Sequence, residues 1–209
     1  MFRKKYSGFT EKTPEKLLLD AGAFVKNYVA GESFEKIKAA GRIIGATQGG
    51  GEFSAKPNVR QVPVDGVMGR AKGLELIDGW EAYIKATILE ITPETFALSL
   101  GAADLSEVDG GEYQKITARD DIKDADYVEN IAWIGNLSGS QKPVILIIKN
   151  PLALDGITLT PQDKNEAKLA VTAYAHYSPD DLETPPFEIL YPKVTTATTA
   201  QGENDNEEN

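Results

Sequence analysis

A chain of 209 residues with no cysteine is long enough to bury a core without disulfides, and it lacks any thiolate nucleophile, thiolate metal site or disulfide framework. Its 22 basic against 32 acidic residues give a net charge of −10, which opposes general binding to nucleic acid, a process driven by counterion release at basic side chains. No apolar run approaches the roughly 18 residues of a membrane span, and no apolar stretch of an export signal follows the basic N-terminus, so the expectation is a chain made in a reducing compartment with no membrane anchor.

In chain order, residues 1–13 are polar and basic with Phe2, Tyr6 and Phe9 interspersed; they read as an N-terminal arm that docks on another surface, or as free chain. Residues 14–193 carry the periodic apolar pattern and form one β domain. Lys16–Val29 reads as a strand, with Leu17, Leu19, Ala21 and Ala23 alternating against Lys16, Leu18 and Asp20. Ser33–Ala40 fits either a helical turn capped by Ser33 or a loop. Arg42–Gly66, with the consecutive glycines Gly49, Gly50 and Gly51, reads as a structural loop feeding a sheet, its Gly49–Pro63 portion either ordering on contact with a neighbour or forming an exposed hairpin.

From Trp80 the alternation is clearest: Trp80, Ala82, Ile84, Ala86 and Ile88 fall on one face and Glu81, Tyr83, Lys85 and Thr87 on the other, a half-buried strand. A short helix follows, with Thr92 as N-cap, Pro93 in the first turn, Phe96 and Leu100 on one face, and Gly101 at the end. The acidic stretch Asp104–Glu112, with Gly110 and Gly111, reads as a solvated excursion. Further strands are expected at Tyr127–Ile134, at the wholly apolar Val144–Lys149, at Leu169–Tyr177 and at Phe187–Tyr191. Residues 194–209 are low in complexity, with four acids and no base, and read as a disordered acidic tail. Many strands without strand–helix alternation favour a mainly β fold, an antiparallel sandwich or barrel with one short packed helix.

Catalytic chemistry is thin in this pattern. His176 is the single histidine, and no nucleophile and carboxylate stand at a recognisable spacing from it, so it reads as a strand residue rather than a triad member. The glycines of GATQGGG are not followed by the Lys-Ser/Thr of a phosphate-binding loop. Ser33-Phe34-Glu35-Lys36 matches a Ser-x-x-Lys pattern without its companion motifs. The acids Asp104, Glu107, Asp109 and Glu112 and the group Asp120, Asp121, Asp124 and Asp126 do not follow calcium-loop spacing. Trp133, between Ile131 and Ile134, reads as core. No catalytic, cofactor or metal-binding residue is assigned, and the chain is not read as an enzyme.

The order of KLLLDAGAFVKNY, RIIGATQGGGEFSAKPNVRQVPVDG, a long strand entering TPETFALSLGA, and KLAVTAYAHYSPDDLETPPFEILYP resembles the major tail tube protein of long-tailed bacteriophages across about residues 14–192. The resemblance implies a β-sandwich or barrel flanked by a helix, a virion structural subunit forming hexameric rings, and rings stacked into a hollow tail tube. DNA would pass through that tube without specific binding, and the tape measure and tail-end proteins of the same virion would be partners. It favours a non-contractile tail; the inner tube of a contractile tail or of a phage-tail-like bacteriocin is the alternative. For the stacking surface the residues singled out are Gly49, Gly50, Gly51, Phe53, Asn58 and Arg60. Outside that family, a carbohydrate-binding β-sandwich would use Tyr83, Tyr174 and His176 as a sugar platform.

Overall fold

The computed structural model describes residues 6–159, 161 and 163–193; the expected acidic tail at 194–209 and the first five residues of the expected arm lie outside them. The fold is mainly β and antiparallel. Among the described residues there are ten strands: β1 (Leu18–Lys26), β2 (Thr47–Gln61), β3 (Glu75–Ile88), β4 (Ala103–Val108), β5 (Tyr113–Ala118), β6 (Asn130–Leu137), β7 (Val144–Lys149), β8 (Leu152–Ala153), β9 (Leu169–Tyr174) and β10 (Phe187–Leu190). Two helices join them, α1 (Phe34–Ala39) and α2 (Pro93–Leu100). One four-stranded sheet runs β1-β6-β7-β10, a second runs β2-β3-β9-β8, and β4 and β5 form a separate hairpin.

The two four-stranded sheets face each other across the main core. Phe24, Ile131 and Ile148 come from the first, and Ala82, Ile84, Ala86, Ile88, Leu169, Val171 and Ala173 from the second. Alternation on β3 predicts this packing correctly: Ala82, Ile84, Ala86 and Ile88 are all buried. The first sheet is covered on its other face as well, where Val25, Ala132, Ile145 and Ile147 pack with Tyr28 and with Ile37 of α1. That second layer explains why Val144–Lys149 is apolar throughout, since a strand covered on both faces has no solvent side to mark with polar residues.

Strand β1 departs from the simple alternation. Its pairing with β6 jumps from Leu19↔Asn136 to Ala23↔Ile134, because Asp20 and Gly22 adopt φ values of 67° and bulge the chain. The Trp133 indole lies across this bulge and donates from Nε1 to the Ala21 carbonyl at 2.8 Å. A Cβ on Gly22 would sit 2.4 Å from that nitrogen, so glycine is needed there for both conformation and space. Trp133 is therefore half-buried packing that fixes a strand edge. Below the bulge the alternation no longer points inward, and Leu17, Leu18 and Leu19 remain exposed.

Helix α2 ends as the sequence predicts. The Thr92 hydroxyl accepts the Thr95 N–H at 3.2 Å, and Thr95 Oγ1 accepts the Thr92 N–H at 2.8 Å, a reciprocal cap that satisfies two orphan donors. Gly101 closes the helix at φ 74°. Ser33–Ala40 resolves as α1, with Ser33 in the N-cap position but without a side-chain cap. The third expected strand starts later than Tyr127, at Asn130, because a tight turn occupies Asp124–Asp126. The acidic excursion at Asp104–Glu112 is strand β4 and the turn of the β4–β5 hairpin; an exposed two-stranded ribbon carries polar side chains on both faces and loses the apolar rhythm by which a strand is recognised.

That hairpin is tied down by Arg119, whose guanidinium is paired with Asp126 and lies 3.0 Å from Asp104 and 3.4 Å from Asp121. Arg119 Nε meets Asp104 out of line, so that contact is an ion pair without a hydrogen bond. The Lys123 N–H donates to the Asp126 carboxylate at 2.8 Å, and this bond, together with the Arg119 guanidinium, holds Asp126 below the usual carboxylate range. A folded value below the unfolded one stabilises the protein above about pH 4 and is lost as pH falls through the folded value. Denaturation midpoints measured between about pH 5 and 2 should therefore fall less steeply for Asp126→Asn than for the parent; equal slopes would remove Asp126 from the acid limb.

Candidate functional site

The six residues expected at a subunit contact all lie on β2, so the loop expected over Gly49–Pro63 is corrected: as far as Gln61 it is strand, paired with β3 from Thr47↔Ile88 to Gln61↔Glu75. The glycines conceal the strand without breaking it. Gly49 and Gly50 take φ values of 83° and 72° inside an irregularity of the ladder between Thr47 and Gly51, a bulge that glycine permits.

The six do not form one surface. Gly51 is exposed to solvent but lies over the body, where an added Cβ would lie 2.3 Å from the Phe24 ring and 2.5 Å from the Lys85 carbonyl. Phe53 is half-buried against the core and meets Phe187 edge to face with ring centroids 6.1 Å apart. Asn58 and Arg60 lie beyond, near the far end of the strand, where Asn58 donates to Glu81 at 3.1 Å and Arg60 pairs with Asp78 at 3.0 Å. At about 3.4 Å per residue, Arg60 is some 35 Å along the strand from the first glycines. Gly51 and Phe53 belong to the fold; Asn58 and Arg60 belong to a projecting ribbon.

The ribbon arises because β9 pairs with β3 only over Tyr83–Ile88. Among the described residues Glu75–Glu81 find ladder partners on β2 alone, while the Ala82 carbonyl still accepts the Ala175 N–H at 2.8 Å. Between Gln61 and Glu75 the chain turns through Pro63, Gly66, Gly69 and Gly73, the glycines at φ 82°, 94° and 91°. The ribbon and its tip expose Val59, Val64, Val67, Met68, Leu76 and Ile77, with Met68 fully in solvent. Salt bridges brace it from strand to strand at Arg60–Asp78, and at its base-to-tip junction at Arg70–Glu75, 3.2 Å. The missed signal was VPVDGVMGRAKGL, a turn-rich stretch between two strand-forming runs; the glycine triplet drew the loop too early.

The residues expected for a sugar platform are divided. Tyr83 and Tyr174 stand opposite each other on β3 and β9, their rings 5.8 Å apart. Their hydroxyls are engaged, Tyr83 donating to Glu52 at 2.6 Å and Tyr174 to Asp155 at 2.9 Å, and these bonds to carboxylates raise both phenol pKa values. His176 lies past the end of β9 and turns instead to Tyr127, ring centroids 5.2 Å apart at 82°. Among the described residues no group of three or more His, Asp or Glu side chains is placed to hold a metal ion, and no helix is long and apolar enough to cross a membrane. No protein-family model matches the chain, and no curated protein matches it.

Proposed function

We propose that this chain is a structural subunit that joins identical copies into rings stacked as a tube, as the major tail tube protein of long-tailed bacteriophages does. One observation carries the reading: a two-stranded ribbon extends from a complete sandwich and displays six large apolar side chains to solvent. An isolated two-stranded ribbon is marginal in water, and apolar side chains gathered on one projecting element mark a surface meant to be covered. The sheets add open edges, at β10 and the first half of β1 in one, where Arg42–Ile44 already pairs with Phe24–Lys26, and at β2 and β8 in the other, which a neighbouring copy can pair or cover. A head-to-tail contact of this kind closes into a ring or propagates as a filament.

On this reading the chain is not an enzyme, its location is the virion tail, and its further partners are the tape measure and tail-end proteins. Its net charge of −10 suits passage of DNA without retention. The test is negative-stain electron microscopy and sedimentation of concentrated protein over a range of salt. Rings or hollow tubes are expected; a strictly monomeric chain under all conditions, including with purified tail-initiator complex, overturns the proposal.

A further inference from the structure

Away from the ribbon, where the chain leaves β9, a cleft of about 440 Å³ is lined by Asp124, Tyr127, Asn150, His176, Tyr177 and Pro179. It is built with some care. His176 Nδ1 lies 3.1 Å from the Asn150 carbonyl oxygen; a carbonyl can only accept, so this nitrogen carries a proton and the neutral ring presents Nε2 as an acceptor. Asn150 returns a bond from its side-chain amide to the His176 carbonyl at 3.2 Å, and does so from a left-handed backbone, φ 47°. Tyr127 meets the imidazole nearly at right angles, making a corner of two aromatic walls. Tyr177 is held by the Trp80 N–H, which donates to its hydroxyl at 2.8 Å.

The charge of this corner is one-sided. Asp124 is its only charged side chain, and its carboxylate has no hydrogen bond or ion pair among the described residues. One Asn150 amide N–H is used within the cleft, and Nε2 of His176, the Asp124 carboxylate and the Asn150 side-chain oxygen can accept, beside the hydroxyls of Tyr127 and Tyr177. Aromatic faces beside a carboxylate, with no cation in the lining, fit a ligand that donates hydrogen bonds and carries positive charge. Perpendicular rings suit a compact cation better than the flat face of a sugar, which stacks on an open platform.

We propose that this cleft binds a primary alkylammonium group, such as a lysine side chain, independently of how the chain assembles. The single histidine makes the test direct, since the imidazole Hε1 signal in the proton NMR spectrum can come from His176 alone. Titration with N-acetyl-lysine methylamide should shift that signal saturably, while methyl glucoside and acetate should not. Asp124→Asn should weaken binding about threefold and Tyr127→Leu about threefold to fivefold, with both variants keeping the parent's circular dichroism. A signal that also moves on dilution of the protein alone identifies the ammonium source as a second copy; one that moves only with the probe identifies a separate ligand. No saturable shift with the lysine probe, saturation by the glucoside in its place, or Asp124→Asn and Tyr127→Leu both binding as the parent does, overturns the assignment.

Discussion

Replacing Val62–Leu74 by an Asn-Gly turn that joins Gln61 directly to Glu75 should leave a folded monomer that no longer forms rings or tubes. Gln61 and Glu75 are the last pair of the β2–β3 ladder, so a two-residue hairpin turn closes them without disturbing the pairs behind. None of the residues removed belongs to either core cluster, and thermal stability should stay near the parent's. What is lost is the exposed apolar tip. Val64, Val67 and Met68 at about 1.5 kcal/mol each, if buried by a neighbour, contribute over 4 kcal/mol, which is roughly a thousandfold in the constant for each contact. Sedimentation equilibrium of the shortened chain beside the parent measures this; tubes of normal length from the shortened chain would assign assembly to the sheet edges alone. Gly50–Pro57 would be a poor choice of deletion, because every residue of Gly51–Pro57 is paired with β3 and its removal would take apart the second sheet.

Where one physical signal dominated a segment, the sequence was readable. On β3 the period of two coincided with one covered face, and on α2 the cap, the proline and the terminal glycine agreed. The wholly apolar β7 could be located but its surroundings could not, because the same run fits any strand covered on both sides; Ile37 of α1, more than 100 residues earlier, supplies the second cover. On β1 the misreading has a local cause. Asp20 and Gly22 insert a bulge whose reason is the Trp133 indole on the paired strand, and nothing adjacent to Asp20 announces it. The β4–β5 hairpin and the ribbon are two-stranded and solvent-facing, so their strands have no buried face to impose alternation. The expected contact residues are neighbours along the chain and not in space: an extended strand lays Gly51 over Phe24 of the core and carries Arg60 out to the ribbon.

Gly51 offers the sharpest separation between a residue that builds the fold and one that meets a neighbour. It sits on β2 opposite Ala86, where the second sheet's edge strand passes over the Phe24 ring of the first. A methyl group at this position would overlap the ring at 2.3 Å and the Lys85 carbonyl at 2.5 Å. The ring packs in the main core with Ile84, Ala86 and Ile131, and the carbonyl belongs to the paired strand. Gly51→Ala should therefore cost about 3 kcal/mol, at the upper end of overpacking effects. Gly49 and Gly50 have open space around the same added atom, so alanine at either should cost only the left-handed backbone term of about 1 to 2 kcal/mol. Urea denaturation of the three single variants at a concentration too low for association tests this order. If Gly51→Ala unfolds with the parent's midpoint yet fails to assemble, the glycine is a contact between copies and the packing argument is wrong; a monomer destabilised before any assembly begins places its role inside the sandwich.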